Sequence, residues 1–479
     1  MRQQVISRFL EGAGGGGASV KIVLTGYRGT GKSSVGRALA SLLRLPFIDT
    51  DEEIEEREHR SIGEIFRNEG EAYFRRRERE VIRALRDKEG VIATGGGVVL
   101  DPENVEHLRA HGDIFLLYAS ERTIRERIMN SDRPPLTDLG FEGEVSALLE
   151  RRKIHYLSAA DFCINTDEGT VEEICHGIRR ITMEGSTGIS ERERALRFRV
   201  FQGLPPAEMD ALETALLRPP RQTVRLCAIA GYPVRHSKSP HLYMHLFQRY
   251  SLNYHYTRLE DPEISRIMQC FGELDMRGLS VTIPFKKAVI GYLDEVSREA
   301  EEIGAVNTVI QCGGRRYGFN TDWVGVREPL RGHSGERAVV IGAGGAAAAA
   351  AYAALSLGMD VHILNRTIGR AKELAARLGC SSGSLDDLES ISAGVIVNAT
   401  PVGMNGEDRT PVKPDCLRKG MTIFDLVYTP PDTHLIRIAR KKGCETIAGT
   451  EMFVHQAVEQ FRLFTGIRVT PDSVREYLT

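Results

Sequence analysis

The stretch Gly26-Tyr27-Arg28-Gly29-Thr30-Gly31-Lys32-Ser33-Ser34 has the spacing G-x-x-x-x-G-K-S of a phosphate-binding loop. Lys21-Ile22-Val23-Leu24-Thr25 before it reads as a short buried strand, and Val35 to Leu43 after it as a helix. That strand–loop–helix setting separates the motif from a glycine turn before an ordinary helix. Glycines let successive backbone N–H groups turn inward around an anion, and the helix N-terminus adds partial positive charge. Gly29, Thr30, Gly31 and Ser34 are therefore candidate nucleotide-binding positions. Lys32 would reach the β- and γ-phosphates and Ser33 would bind Mg2+. The N-terminal part is expected to bind a nucleoside triphosphate.

Working outward, Pro46-Phe47-Ile48-Asp49-Thr50-Asp51 reads as a second strand ending in two carboxylates. Strand ends of an open α/β sheet face the ligand crevice, and alternate strand residues point the same way. Asp49 and Asp51 could share that crevice, one near Mg2+ and one on a polyol hydroxyl. The same residues could equally cap a helix through Asp51-Glu52-Glu53. Gly70 to Glu78 reads as a charged helix with one arginine available to a carboxylate. Gly90 to Val99 is a strand emptying into Gly95-Gly96-Gly97, where a small substrate can approach the backbone. Asp132-Arg133-Pro134-Pro135-Leu136 is a stiff loop able to close over phosphates as a lid.

Composition bounds the rest. The 479 residues are enough for about three domains. With Lys+Arg at 63 and Asp+Glu at 65, the net charge is -2, which draws the chain to neither nucleic acid nor membrane. No apolar run approaches the ~20 residues of a membrane span, and no signal peptide opens the chain. The eight cysteines lack a C-x-x-C spacing, so neither a disulfide framework nor a zinc site is suggested. The expectation is a cytoplasmic chain with reduced thiols and small-molecule partners. Residues 1–18 read as a flexible glycine-rich lead-in, and residues 183–223 as a joint without chemistry of its own.

The second half opens with the strand Val224 to Gly231 and the loop Tyr232-Pro233-Val234-Arg235-His236-Ser237-Lys238-Ser239-Pro240. Two hydroxyls two residues apart can both bond one carboxylate; serine N-capping is the plainer alternative. Val281-Thr282-Ile283-Pro284-Phe285-Lys286 ends a strand with a lysine, and Asn320-Thr321-Asp322 ends another with a carboxylate. Such a pair is placed to exchange a proton with a carbonyl oxygen. Gly342-Ala343-Gly344-Gly345-Ala346-Ala347 follows a strand and opens a helix, fitting the dinucleotide fingerprint G-x-G-x-x-A. At the end of the next strand, Asn365-Arg366-Thr367 places an arginine where an acidic residue would favour NAD. With Arg370 one turn on, this predicts NADP.

Residues 20 to about 180 resemble shikimate kinase. The resemblance rests on the P-loop, Asp49-Thr50-Asp51, Phe74-Arg75, Gly95-Gly96-Gly97, Arg133-Pro134, and Arg152 with Tyr156. It implies that Asp51 binds shikimate hydroxyls and acts as base, with Asp49 near the Mg2+ beside Ser33. Arg75 and Arg152 would hold the shikimate carboxylate against Gly96 and Gly97. Arg133 would stabilise the transferring phosphoryl group, and Arg127 would contact adenine. The lid departs from the family's usual Arg-Pro-Leu-Leu by reading Arg-Pro-Pro-Leu.

Residues 225–479 resemble shikimate dehydrogenase. The motifs run from Gly231-x-Pro233-x-x-His236-Ser237-x-Ser239-Pro240 through Val281-Thr282-x-Pro284-x-Lys286, Asn307-Thr308 and Asn320-Thr321-Asp322-x-x-Gly325. They end in Asn398-Ala399-Thr400-Pro401 and Met452-x-Val454-x-Gln456-Ala457. The resemblance implies a catalytic pair, Lys286 and Asp322. Substrate contacts would come from Ser237, Ser239, Thr282, Asn307, Tyr428 and Gln456. NADP(H) contacts would come from residues 342–346, Asn365, Arg366, Thr367, Arg370, Thr400 and Gly449.

The implied fold class is α/β throughout. A P-loop kinase domain with a parallel sheet (19–182) precedes a two-domain dehydrogenase. Its α/β substrate domain (224–328) is completed by residues 455–479, and a Rossmann domain occupies 329–454. The expected chemistry is reduction of 3-dehydroshikimate with NADPH and phosphorylation of the resulting shikimate with Mg·ATP. Alternatives are a dehydrogenase that also takes quinate, or a half that binds ligand without catalysis. The presence of Lys32, Asp51, Arg133, Lys286 and Asp322 speaks against the latter.

Overall fold

The computed structural model describes residues 20–129, 140–167, 169–184, 224–235 and 237–478, together with 204, 207–209 and 211–212. The lead-in 1–18, the lid with Arg133, and His236 lie outside the described residues. Contacts divide the chain into two compact units, Met1–Ser186 with Thr465–Ile467 and Thr187–Phe464 with Arg468–Thr479.

In the first unit, β1 (Lys21–Thr25), β2 (Phe47–Asp49), β3 (Gly90–Ala93), β4 (Gly112–Tyr118) and β5 (Phe162–Asn165) form one sheet in the order β2-β3-β1-β4-β5. Every pairing is parallel. The middle strands read as continuous apolar runs because helices cover both faces; Ile22, Val23 and Leu24 are fully buried. With β1 central, its loop leaves the sheet where the strand order reverses, which is where α/β folds bind ligands. Helix α1 (Lys32–Leu43) starts at that loop. Around it lie α2 (Thr50–Glu58), α3 (Glu71–Ala84), α4 (Glu121–Ile128) and α5 (Gly140–Ala159).

The second unit holds two sheets. The first comprises β6 (Arg225–Gly231), β7 (Tyr254–Glu260), β8 (Gly278–Val281), β9 (Glu295–Val296), β10 (Thr308–Cys312) and β11 (Arg315–Phe319), in the order β7-β6-β8-β10-β11-β9. Because β8 and β10 are antiparallel, the end of β8 and the start of β10 share one edge. The second comprises β12 (Arg337–Ile341), β13 (Asp360–Leu364), β14 (Ser381–Gly383), β15 (Val395–Asn398), β16 (Thr422–Asp425) and β17 (Glu445–Ala448). Its order is β14-β13-β12-β15-β16-β17 and all its pairings are parallel. That is the dinucleotide-binding arrangement of two mononucleotide halves flanking the first strand.

Helices α6 (Ser239–Arg249), α7 (Asp322–Arg327), α8 (Gly345–Ser356), α9 (Ile368–Leu378) and α10 (Gly449–Thr465) each begin at or beside a candidate site residue. The alanine run of α8 is buried almost throughout, as its close approach to the sheet requires. Part of the stretch read as a joint packs into the second unit: Leu212 is fully buried, and Leu204 and Met209 lie against the same core as Ile267, Met268 and Phe271. Six of the eight cysteines are free thiols, but Cys163 and Cys312 are disulfide-bonded, so the expectation of reduced thiols throughout the chain is corrected at those two. Among the described residues no helix is long and apolar enough to cross a membrane, and no group of three or more His, Cys, Asp and Glu side chains is placed to hold a metal ion.

Candidate active sites

In the first unit the loop after β1 closes as the motif demands. Gly29 and Gly31 have φ of 80° and 90°, a region that glycine enters without steric cost. Thr30 is buried, and its hydroxyl turns back to the Tyr27 carbonyl at 2.8 Å. Lys32 Nζ lies on the loop, donating to the Gly26 and Tyr27 carbonyls at 2.8 and 2.9 Å. Ser33 and Ser34 open α1. Ser33 Oγ donates to Asp49 Oδ2 at 2.8 Å, so two hard oxygen ligands of the kind Mg2+ takes already sit together. Arg127, on α4, reaches the Gly29 carbonyl at 3.4 Å and Thr166 at 2.6 and 3.2 Å. It therefore borders the phosphate loop.

The expectation that Asp49 and Asp51 alternate along one strand is corrected. Strand β2 stops at Asp49, whose Oδ1 accepts the Asp51 N–H at 3.1 Å and so caps α2. Asp51 reaches the crevice from a helical first turn instead. Of the two readings weighed on the sequence, the helix start holds, with Asp49 as its cap and Asp51 in its first turn. Thr50 completes the join by accepting the Gly95 N–H at 2.9 Å.

The three glycines after β3 each meet a different side chain. A Cβ on Gly95 would stand 2.5 Å from Asp51 Oδ1, and one on Gly97 2.5 Å from Arg75 Nη1. A Cβ on Gly96 would come within 3.7 Å of Arg152 Nη1. Arg152 and Tyr156, one turn apart on α5, also donate to the Gly96 carbonyl at 3.2 and 2.5 Å. Asp51, Arg75 and Arg152 thus converge on one glycine floor. Burial pushes the Tyr156 phenol up to about 12, against the pull of Arg152, so it stays a hydrogen-bond donor.

Sequence reasoning missed Glu78. This carboxylate, 2 % exposed, takes Arg75 Nη1 on both oxygens at 2.9 and 3.0 Å. Burial raises its pKa while Arg75 lowers it. Its position one turn after Arg75 was the available signal. Arg28, inside the phosphate loop, was also passed over; it pairs with the fully buried Glu144 of α5.

In the second unit, Lys286 Nζ donates to Asp322 Oδ2 at 2.6 Å. The other oxygen, Oδ1, accepts from Asn307 Nδ2 at 2.8 Å, and the Asp322 N–H donates to Asn320 Oδ1 at 3.0 Å. Asn307 in turn accepts the Thr321 N–H at 2.7 Å. Three loops from one sheet edge therefore fix the pair. Ser237 and Ser239 stand at the start of α6, where Ser237 Oγ accepts the Ser239 N–H at 3.2 Å. The N-cap of α6 is Lys238, without a side-chain cap bond, so the serine-capping alternative does not hold, and both serine hydroxyl protons are left to donate. Thr282 packs on Gly231, where a Cβ would lie 2.5 Å from Thr282 Cγ2.

Gln456 on α10 faces α7, with its Cβ 3.2 Å from a Cβ built on Gly325. Tyr428 is half exposed and stacks on Phe453 of the same helix at 5.8 Å. One turn on from Gln456, Gln460 was missed. It is buried and joins Tyr243, Ser280, Thr308 and the Asn307 carbonyl at 2.7 to 3.1 Å. It anchors the helix that presents Gln456.

The dinucleotide positions gather around β12 and β15. Gly342 has φ of 122°, and a Cβ there would stand 3.0 Å from the Ala399 carbonyl. Ala343, Gly344, Gly345 and Ala346 form the turn into α8, whose free N–H groups suit a pyrophosphate. Thr400 is held by Asn398 Oδ1 at 2.7 Å. Asn365 donates to the Thr367 carbonyl at 3.0 Å, ordering the turn that carries Arg366. Arg366 and Arg370 are both exposed at the start of α9. At Gly449 a Cβ would meet the Leu426 and Val427 carbonyls at 2.6 Å. Only glycine lets α10 begin there.

Comparison with known proteins finds family matches in both halves of the chain. Residues 28–182 match the shikimate kinase family, and residues 229–309 the shikimate dehydrogenase substrate binding domain. Residues 326–405 match the shikimate / quinate 5-dehydrogenase family, and residues 449–476 the shikimate 5'-dehydrogenase C-terminal domain. A shikimate dehydrogenase (NADP(+)) of Maridesulfovibrio salexigens is 42% identical over 261 residues, covering 53% of this chain and 96% of the relative. The crystal structure of a Thermus thermophilus shikimate 5-dehydrogenase with NADP(H) and shikimate is 35% identical, with a TM-score of 0.50. It covers 53% of this chain and 98% of that one. A Corynebacterium glutamicum quinate dehydrogenase with NAD is 31% identical with the same TM-score and the same coverages.

Proposed function

Because this chain belongs to the shikimate dehydrogenase family in its C-terminal half and carries a shikimate kinase domain ahead of it, we propose that it reduces 3-dehydroshikimate to shikimate at one site and phosphorylates shikimate at the other. NADPH supplies the hydride to the first reaction, and Mg·ATP supplies the phosphoryl group to the second.

At the dehydrogenase site, Ser237 and Ser239 hold the substrate carboxylate and Gln456 closes over the ring. Lys286 Nζ gives its proton to the ketone oxygen as the carbon gains hydride, yielding the hydroxyl of shikimate. Asp322 keeps the ammonium aimed, and Asn307 keeps Asp322 aimed. The exposed Arg366, with Arg370, receives the 2′-phosphate that distinguishes NADP from NAD. The contact that carries this reading is Lys286 Nζ to Asp322 Oδ2 at 2.6 Å, in a setting where neighbours hold the second oxygen of Asp322.

At the kinase site, phosphoryl transfer is mostly positioning and charge stabilisation. Arg75 and Arg152 hold the shikimate carboxylate, matching its planar oxygens with forked donors. Asp51 orients the hydroxyl and takes its proton. Lys32 neutralises charge on the transferring group, with Ser33 and Asp49 as metal ligands. Arg133 has the same role by resemblance. Quinate oxidation is the second reading, favoured by the likeness to a quinate dehydrogenase; Arg366 argues against an NAD-preferring enzyme of that type.

The test supplies 3-dehydroshikimate, NADPH and Mg·ATP and follows both NADPH loss and phosphorylated product. Lys286→Ala should lower reduction by about 10²- to 10⁴-fold and leave the kinase intact. Lys32→Ala should do the reverse. Loss of both activities from either change in a folded chain would refute two independent sites.

A further inference from the structure

We propose that Glu208, in a segment outside both family matches, is a positioning residue for the dehydrogenase: it orients Arg258, and Arg258 orients Ser237 toward the substrate carboxylate. The inference rests on the reading that Ser237 holds that carboxylate.

The kinase match ends at residue 182 and the dehydrogenase match begins at residue 229. Between them, Leu204, Met209 and Leu212 are seated on the core of the second unit. Glu208 lies beside these anchors, so its place is set by packing. Arg258 Nη1 donates to both carboxylate oxygens of Glu208. Arg258 is 7% exposed and Glu208 27% exposed.

The other end of the guanidinium is spent on the site. Arg258 Nη2 donates to the Ser237 carbonyl at 3.0 Å. Arg258 sits on β7 opposite Ile229 of β6, so it lies beneath the loop leaving β6. Two residues along β7, Glu260 accepts the Val234 N–H at 3.0 Å. Alternate strand residues share a face, so β7 grips this loop at two points, through Glu260 at Val234 and Arg258 at Ser237.

A guanidinium so little exposed needs a counter-charge. Without the Glu208 carboxylate it gains more by turning toward water than by bonding one neutral carbonyl. Ser237 would then lose its fixed backbone position. A displacement of an ångström at a substrate-holding group is enough to weaken binding markedly. The joint would thus complete the carboxylate clamp of the second unit.

The experiment uses the full chain carrying Glu208→Gln, with 3-dehydroshikimate and NADPH varied in turn. The expected result is a KM for 3-dehydroshikimate raised about tenfold. The kcat, the KM for NADPH and the kinase rate should stay within about twofold of the parent. Glu208→Asp, which keeps the charge but shortens the reach, should fall between; it carries the test alone if Glu208→Gln does not fold. Ser237→Ala separates the two layers of the argument. If Ser237→Ala raises this KM and both Glu208 variants leave it unchanged, the inference is overturned and the carboxylate reading stands. If Ser237→Ala leaves the KM unchanged, the carboxylate reading falls and the inference with it. A lower kcat at unchanged KM in the Glu208 variants would mark mere loss of folded chain and also overturn the proposal.

Discussion

Replacing Gly97 by alanine should damage shikimate binding at the kinase site without damaging the fold. The backbone there has φ of -105° and ψ of -6°, which alanine adopts freely, so the substitution costs no conformational strain. The new Cβ would stand 2.5, 2.7 and 2.9 Å from Nη1, Nη2 and Cζ of Arg75, where ordinary contact begins near 3.4 Å. The guanidinium must retreat by about 0.9 Å, as the first of those distances requires. It is not free to do so: Glu78 holds Nη1 at 2.9 and 3.0 Å, and Glu71 holds Nη2 at 3.0 Å. Moving it sacrifices about one charge-assisted hydrogen bond to the substrate carboxylate, or about 1.5–3 kcal/mol. That corresponds to a KM for shikimate raised about ten- to hundredfold. Initial rates of phosphorylation with shikimate varied at saturating Mg·ATP measure it, with the dehydrogenase rate of the same sample as internal control. A KM within about twofold of the parent would refute the claim that Arg75 binds substrate against this glycine.

Glu78 gives the kinase a distinctive acid limb. Burial raises its pKa, so as pH falls it takes up a proton earlier than an ordinary glutamate and Arg75 is left with the exposed Glu71 as its carboxylate partner. The shikimate KM should climb above the ordinary glutamate range, and Glu78→Gln should give a high but flat profile. The stability sign is consistent: a folded pKa above the unfolded one means stability from this group is lost as pH rises through the raised value. Arg366→Ala should raise the KM for NADPH about tenfold or more while leaving that for NADH nearly unchanged, as read from paired initial-rate series. Glu144→Gln deprives the little-exposed Arg28 of its carboxylate. Calorimetry should show the first unit destabilised by about 3 kcal/mol, largely recovered when Arg28→Met is added.

Much of this protein was readable before any coordinates. The phosphate loop, the glycine floor and the G-x-G-x-x-A turn are local devices. Their backbone requirements are written in neighbouring residues, so spacing alone placed them on the correct strand ends. Lys286 and Asp322 were legible because each closes a motif at the end of a strand. What the sequence could not supply were partners brought in from elsewhere in the chain. Glu78 looked like one more charge on a solvated helix until α3 was seen to turn it beneath Arg75. Asp51 looked like a strand residue until Asp49 was seen to cap α2, with Asp51 in its first turn.

The sequence by itself determined which chemistries the chain can host, since phosphate cradles and the Lys–Asp pair depend on residue type at short spacing. Only the tertiary structure decided how those groups are held: Glu78 under Arg75, Asn307 on Asp322, and Glu208 behind Arg258. The physical reason is that charges removed from water must find counter-charges. Across a folded domain those partners are chosen by packing, not by proximity along the chain.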